Sequence, residues 1–272
     1  MTLVIGVATG DGLVLAADSR TTLALPDKPW RVLSDFTHKV FQVGDLAAAT
    51  SGWAFLSGRN VAAHMADFVH SYESNGKTPE ALSNELADFF EDRFAKHVAA
   101  GLGAAPPLGQ RAIWVYVAGY NGAVGELWEI AIPGKAVSKR YTTELGGALW
   151  QGQTDVVGRI ILGIDPTLAW RVAGNPALAK ALTDLQPSIS GLEYQLNLQL
   201  LNVQDAIDLA VVLIRTTIDV QRLTNGIAAE PGSFPGVGGP VEVALVTSEN
   251  GFEWVQRTAL IGERASGHAE DL

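Results

Sequence analysis

Cysteine is absent from this chain of 272 residues. Its absence excludes disulfides, thiolate nucleophiles and cysteine-ligated metal ions together. The five histidines are scattered and form no His-x-x-x-His pair, which is the spacing that places two ligands on one helix face. The sequence therefore predicts no metal site.

Basic clusters and long apolar runs are also missing. The formal net charge is −10, with no local group of lysines and arginines, which argues against nucleic-acid binding. No apolar run approaches the roughly 18 residues that a membrane-spanning helix needs. Asp11 and Asp18 interrupt the N-terminal apolar region, so a secretory signal is not expected and a cytoplasmic location is.

The apolar residues that are present, 47% of the chain, alternate with turn signals in blocks. Strands are predicted at 2–9, 13–18, 39–43, 46–50, 112–119, 126–132, 241–246 and 252–256. Helices are predicted at 54–72, 78–97 and 203–223, with several short ones between 155 and 201. The second is expected to have Thr78 as its N-cap and Pro79 at its first helical position.

Blocks of strands covered by blocks of helices predict an α+β domain with a buried sheet core. We expect one domain over residues 1–272, built as a four-layer α/β/β/α sandwich with two central antiparallel sheets. Its tail, about 263–272, is expected to be frayed and solvated.

The N-terminal stretch "MTLVIGVATGDGLVLAADSRTT" raises a chemical question about Thr2. Removal of Met1 would leave Thr2 with a free α-amine, a general base with a reference pKa of roughly 7.7–8.0, beside its own hydroxyl. A hairpin turn centred on Asp11 would bring Thr2 opposite Arg20 or Thr21. The polar groups near Thr2 would then either support a nucleophile or merely solvate a strand end.

This stretch and "HKVFQVGDLAAATSGW" resemble the proteasome β-type branch of the N-terminal-nucleophile hydrolases. The resemblance is specific over residues 2–58 and extends to "SFPGVGGPVEVALV" near the C-terminus. In that family a strand, an Asp-Gly turn and "VLAADxRxT" follow a mature N-terminal threonine. The length and the helical insertion at about 155–200 make the chain more similar to the Anbu-type bacterial proteasome homologues than to the shorter HslV type.

The resemblance implies a catalytic role for several positions. Thr2 would be the nucleophile and its α-amine the base, and Lys39 would favour an alkoxide-like oxygen. Asp18 and Arg20 would hold that lysine, and the Gly52 N–H would stabilise the oxyanion.

The resemblance also implies how a substrate and partners bind. A peptide or unfolded protein would pair along Thr21 and Thr22 as an added strand, with Phe41, Thr50 and Ala54 near a first pocket. The subunits would form a homo-oligomeric ring or stack, and the sequence does not say whether an ATP-driven unfoldase feeds it. "GVGGP" is not a nucleotide loop, since a strand follows it and no Lys-Ser/Thr does. No cofactor is expected.

Two family features depart from this pattern. Asp219 stands about where the family has a second catalytic aspartate, although a solvent-facing helix aspartate is an equal reading. The serine that accompanies that aspartate is missing, and "LGGALWQG" has only glycines where the family has a Gly-Ser-Gly turn.

Three functions therefore stay open. The first is a threonine-type peptidase acting within an oligomer. The second is a catalytically silent, proteasome-like assembly protein, and the third is a non-proteolytic amide hydrolase or transpeptidase that uses the same threonine.

Overall fold

A computed structural model describes residues 2–23, 30–73, 76–104, 106–107, 110–165, 168–226 and 235–258. The strands are β1 (Leu3–Ala8), β2 (Leu13–Asp18), β3 (Thr21–Leu23), β4 (Arg31–Ser34), β5 (Val40–Val43), β6 (Leu46–Gly52), β7 (Phe55–Leu56), β8 (Arg59–Asn60), β9 (Ile113–Asn121), β10 (Val124–Ile132), β11 (Ala136–Thr142), β12 (Gly147–Gly152), β13 (Val241–Thr247) and β14 (Gly251–Gln256). The helices are α1 (Val61–Ser71), α2 (Pro79–Ala99), α3 (Asp155–Ile161), α4 (Leu168–Val172), α5 (Pro176–Ser190) and α6 (Val203–Leu223), with a 3₁₀ turn at Leu198–Leu200.

Two five-stranded sheets contain most of the strands. Their orders are β12-β1-β2-β13-β14 and β11-β10-β9-β6-β5, and the strand pairs within them are antiparallel. The predicted α+β class with antiparallel sheets is confirmed. Strands β11 and β12 were not predicted. Both are edge strands, and β11 is largely exposed and polar, without an apolar run.

The N-terminal hairpin β1–β2 is buried on both faces, as its continuous apolar sequence predicts. The pairing of Ala8 with Leu13 sets Thr2 opposite Ser19. The expected register, with Thr2 opposite Arg20 or the residue after it, is wrong by one position. The turn is centred between the first glycine and the aspartate of Gly-Asp-Gly, and not on the aspartate itself.

Three apolar clusters hold these elements together. One lies between the two sheets and contains Leu15 and Leu127. A second packs α1 and α2, including Phe90, against the β9-containing sheet. A third packs α3 and α6, including Leu213, against the β1-containing sheet. Each sheet therefore has an apolar contact on both faces.

Helix α1 begins at Val61, so the predicted start at Ala54 is wrong. Ser57 and Gly58 both have positive φ, and they turn the short β7–β8 hairpin in front of the helix. The Asn60 side chain then caps the helix. The predicted cap of α2 is confirmed, since the Thr78 side chain accepts a hydrogen bond from a first-turn backbone N–H.

Short helices occupy the segment between 155 and 200, as predicted. Within the described ranges, no helix is both long and apolar enough to cross a bilayer. The tail at 263–272 and the loop around Pro26 and Pro29 lie outside the described residues.

Candidate active site

The backbone of Thr2 is fixed on both sides. Its carbonyl accepts a hydrogen bond from the Gln153 N–H at 2.9 Å, and the next N–H, of Leu3, donates to Asp18 Oδ1 at 2.9 Å. Gly152 has φ +114° and lies so close that a Cβ there would come 1.8 Å from the Thr2 carbonyl oxygen. Only glycine suits this position. Thr2 itself is 6% exposed.

Asp18 is fully buried at the end of β2 and organises the site. Besides Leu3, its carboxylate accepts hydrogen bonds from Lys39 Nζ at 2.8 Å, from the Arg20 N–H at 3.1 Å and from the Gly238 N–H at 2.9 Å. Three main-chain donors and one ammonium leave this carboxylate well satisfied. The sequence places Asp18 and Arg20 near Thr2, and the structure does bring them together.

Lys39 is held beside Thr2 with an exposure of 5%. Its Nζ also donates to the Arg20 carbonyl at 2.6 Å, so two acceptors fix the ammonium. Burial lowers the pKa of Lys39 below its ordinary value, and the charge and hydrogen bond of Asp18 oppose that shift. A lysine in this state is a cation that can lose its proton more readily than an exposed one.

The Arg20 guanidinium binds the Asp35 carboxylate, which directly follows β4. It forms a bidentate salt bridge with Asp35, in which Nε donates to Oδ1 at 2.6 Å and Nη2 donates to Oδ2 at 3.0 Å. It also donates to the Pro235 carbonyl at 3.2 Å. The hydrogen bond to Asp35 raises the pKa of Arg20. Arg20 therefore contacts Lys39 through its main-chain carbonyl. Its side chain connects the end of β2 to Asp35 and to Pro235.

Glu242 is a site residue that the sequence analysis missed. Its buried carboxylate accepts hydrogen bonds from the N–H groups of Lys39, at 2.9 Å, and Val40, at 3.3 Å, and it pairs with His38 Nδ1. It anchors the start of β5 and hence the lysine. A lone charged residue inside the apolar run Val241–Val246 was the available signal, since such a residue is rarely buried without a partner.

Gly52 ends β6 with φ +101°, and a Cβ there would lie 2.2 Å from the Ala112 carbonyl oxygen. The next N–H, of Trp53, donates to that same carbonyl at 2.8 Å. The positive φ and the close approach of the Ala112 carbonyl require a glycine at this bend. Gly52 lies with Thr2 in the walls of the two cavities described next.

Two cavities meet at Thr2. The narrow cavity, about 20 Å³, has room for about one water molecule. Its walls are Thr2, Arg20, Thr21, Thr37, His38, Lys39, Thr50, Ser51, Gly52, Trp53, Ala54, Asn60, Val61 and Ala62. The wide cavity, about 590 Å³, is lined by Thr2, Thr22, Leu23, Trp30, Ser51, Gly52, Trp53, Ala54, Phe55, Trp114, Gln151, Gly152 and Gln153. In the described part of the chain, no three or more His, Asp or Glu residues are grouped to hold a metal ion.

The predicted substrate-binding residues divide between these spaces. Thr21 and Thr50 line the narrow cavity, Thr22 lines the wide one, and Ala54 lines both. Phe41 lies instead in the wall of a third cavity, which shares His38 with the narrow one but does not contain Thr2.

Asp219 is not brought to Thr2. Its exposed carboxylate pairs with Arg222 on the outer face of α6, at 3.0 Å, and it lines neither cavity. Gln221 is the α6 residue connected to the site, since its amide donates to the Gln153 side chain at 3.2 Å. Helix residues that are two positions apart in sequence point about 200° away from each other around the helix axis. Asp219 and Gln221 therefore lie on opposite faces of α6.

The fold of this chain is similar to that of solved protein structures. No protein-family model and no curated protein sequence matches the chain. The structure described as the helical assembly of the Anbu complex from Pseudomonas aeruginosa matches over 97% of this chain and 90% of that one, with a TM-score of 0.58 and 16% identity. The chain has the Anbu fold.

A second solved structure supports the same conclusion. A Gly-1 mutant of Anbu from Hyphomicrobium sp. strain MC1 matches over 94% of this chain and 86% of that one, with a TM-score of 0.52 and 13% identity. The resemblance to Anbu-type proteasome homologues, drawn from the N-terminal sequence, is thus confirmed at the level of the Anbu fold.

Proposed function

We propose that this chain is a threonine-type amidohydrolase that cleaves peptide bonds, with Thr2 as its nucleophile once Met1 has been removed. The observation that carries the proposal is the buried Lys39–Asp18 pair. The same Asp18 carboxylate that binds Lys39 also accepts a hydrogen bond from the N–H of Leu3, next to Thr2. A surface lysine would not be expected to have two fixed acceptors. A strand end whose polar groups only face solvent would not need a fully buried aspartate.

Each residue then has a defined step. The neutral α-amine of Thr2 takes the hydroxyl proton, directly or through a water, as Oγ1 attacks the substrate carbonyl carbon. The Lys39 ammonium favours the developing negative charge on Oγ1, and Asp18 keeps that ammonium in place. The Gly52 N–H is the proposed donor to the oxyanion.

The tetrahedral adduct collapses by expelling the amine, which receives the proton held by the α-amine. This leaves an ester between Thr2 and the acyl half of the substrate. A water, deprotonated by the same α-amine, attacks that ester and releases the acid and the free threonine hydroxyl. No cofactor is needed for this sequence of steps.

We propose further that the packing of helices on both sheets is a four-layer α/β/β/α sandwich over a single domain, and that the subunits form a homo-oligomer in the cytoplasm. The similar Pseudomonas structure is described as a helical assembly. The segment between 155 and 200 supports self-association, because Leu178 and Leu185 project from α5 into solvent one heptad apart. Light scattering of the wild type and of a Leu178→Glu, Leu185→Glu variant tests this.

The decisive experiment for the chemistry is the intact mass after incubation with a peptide epoxyketone, which reacts with both the α-amine and the hydroxyl of an N-terminal threonine. A mass without Met1 that carries one adduct, absent from Thr2→Ala, supports the proposal. A mass that retains Met1 and carries no adduct contradicts it and favours a silent assembly protein. Cleavage of small amides without cleavage of an unfolded protein would favour a non-proteolytic amide hydrolase.

A further inference from the structure

The wide cavity beside Thr2 has an unusual wall. Three tryptophans line it, Trp30, Trp53 and Trp114, with Leu23 and Phe55 completing the apolar part. Among its described lining residues there is no Asp, Glu, Lys or Arg side chain. A charged group that entered would lose part of its hydration and would find no opposite charge among these described lining residues.

Strand alternation explains why the tryptophan wall and the threonine face one space. Trp114 lies on the face of β9 that carries Tyr116 into the cluster between the sheets, and Ser51 is its cross-strand partner on β6. Thr2 has the same parity on β1 as Val4, which lies in that cluster too. The wide cavity is therefore the open end of the space between the two sheets.

Ser51 adds a second, independent observation. Its side chain is 5% exposed, and its Oγ makes no hydrogen bond to any described group. A buried hydroxyl without a partner is destabilising, and a bound ligand can satisfy it. Ser51 lines both cavities next to Gly52, at the place where a substrate backbone would pass Thr2.

We propose that the wide cavity is a specificity subsite that takes a large uncharged side chain, aromatic by preference, from one of the two residues flanking the bond that Thr2 cleaves. Ser51 is the polar group that hydrogen-bonds the substrate at its rim. This inference rests on the proposed function. A volume of about 590 Å³ holds an indole or phenyl ring together with adjoining peptide, and aromatic faces favour an aromatic guest.

A peptide series with capped termini tests the subsite, with one flanking residue at a time varied among Trp, Phe, Leu, Ala, Lys and Glu. We expect kcat/KM for Trp and Phe to exceed that for Lys and Glu by roughly tenfold or more at one of the two positions. Trp30→Ala, a change of a half-exposed side chain, should reduce that ratio. Trp254→Ala, in the wall of the third cavity, is its matched control and should leave the ratio unchanged.

A charge placed in the cavity should change the preference. Gln151→Glu is nearly isosteric and adds a carboxylate to the uncharged wall, so cleavage beside Lys should rise relative to cleavage beside Phe. Gln204→Glu adds the same charge on exposed α6 and should not. Equal responses of the two variants would overturn the inference.

Ser51→Ala separates substrate binding from a structural role. Since the hydroxyl is unpartnered, this variant should be at least as stable as the wild type and yet have a lower kcat/KM. The matched control is Ser83→Ala, whose buried hydroxyl donates to the Pro79 carbonyl at 2.7 Å. It should lose stability and keep kcat/KM.

Two failures are distinguishable. Cleavage that needs Thr2 but shows no preference at either flanking position would overturn this subsite and leave the proposed function standing. Cleavage of no peptide, or cleavage that survives Thr2→Ala, would overturn the proposed function and the subsite with it.

Discussion

Asp18→Asn is the substitution that most directly tests the architecture around Thr2. Asparagine keeps the size of the side chain but removes the charge that faces the buried Lys39 ammonium. It also turns an amide NH₂ toward one of the groups that now donate to the carboxylate, which include the N–H groups of Leu3 and Gly238. The variant therefore leaves a buried cation unpaired and one donor facing another.

The magnitude follows from the burial of both partners. Removal of one member of a buried ion pair typically costs about 3–5 kcal/mol. That is a large share of the roughly 5–15 kcal/mol that holds a domain folded. Without the Asp18 carboxylate, the Lys39 ammonium is expected to lose either its fixed orientation or its proton. Epoxyketone labelling of Thr2 should therefore fall by about a hundredfold or more.

Urea unfolding at fixed protein concentration and the rate of adduct formation measure the two effects separately. The matched variant is Asp18→Asn combined with Lys39→Met, which removes both charges. It should be more stable than Asp18→Asn alone and still fail to label. A loss below about 1 kcal/mol with normal labelling of Asp18→Asn would refute the assigned role of the pair.

Three further predictions follow from the same geometry. With increasing pH, the labelling rate should first rise as the α-amine of Thr2 loses its proton. It should then fall as Lys39 loses its proton, and this fall should begin at a pH lower than about 10.4, the ordinary pKa of lysine, because burial lowers the pKa of Lys39. A rate that stays high beyond that pH would contradict this role. Gly152→Ala should cost about 1–3 kcal/mol and at least tenfold in labelling, since the new methyl meets the Thr2 carbonyl; unchanged denaturation and labelling would show that the strand end yields. Asp219→Asn should change stability by less than about 0.5 kcal/mol and leave labelling unchanged, and a tenfold loss would return that residue to the site.

Much of the fold follows from local sequence. The apolar runs around Gly-Asp-Gly predict the buried β1–β2 hairpin, and Thr78-Pro79 predicts the start of α2. The bounds of α6 were predicted as observed from its amphipathic pattern, and the structure adds a capping box, formed by Asn202 and Asp205, at its start. In each case the signal lies within a few residues of the element that it predicts.

The site divides in the same way. Thr2 and Asp18 could be named from the sequence because the short hairpin brings them together, and Lys39 could be named because the family resemblance implies it. Glu242 could not, since it reaches Lys39 across more than 200 positions of chain. The phase of α6, which turns Asp219 outward and Gln221 inward, depends on which helix stripe the sheet covers.

By itself, the sequence determined the α+β class, the main strands and helices and the chemistry available at Thr2, because patterning and turn residues act locally. The tertiary structure alone decided the one-residue register that sets Thr2 opposite Ser19 and the closure of Gly152 on its carbonyl. It also decided the meeting of three distant tryptophans beside it. The hairpin register depends on where the chain turns between Gly10 and Asp11, and the Gly152 contact depends on the pairing of β12 with β1 in one sheet. The tryptophan wall depends on how the two sheets pack face to face. The apolar pattern of a single segment encodes none of these.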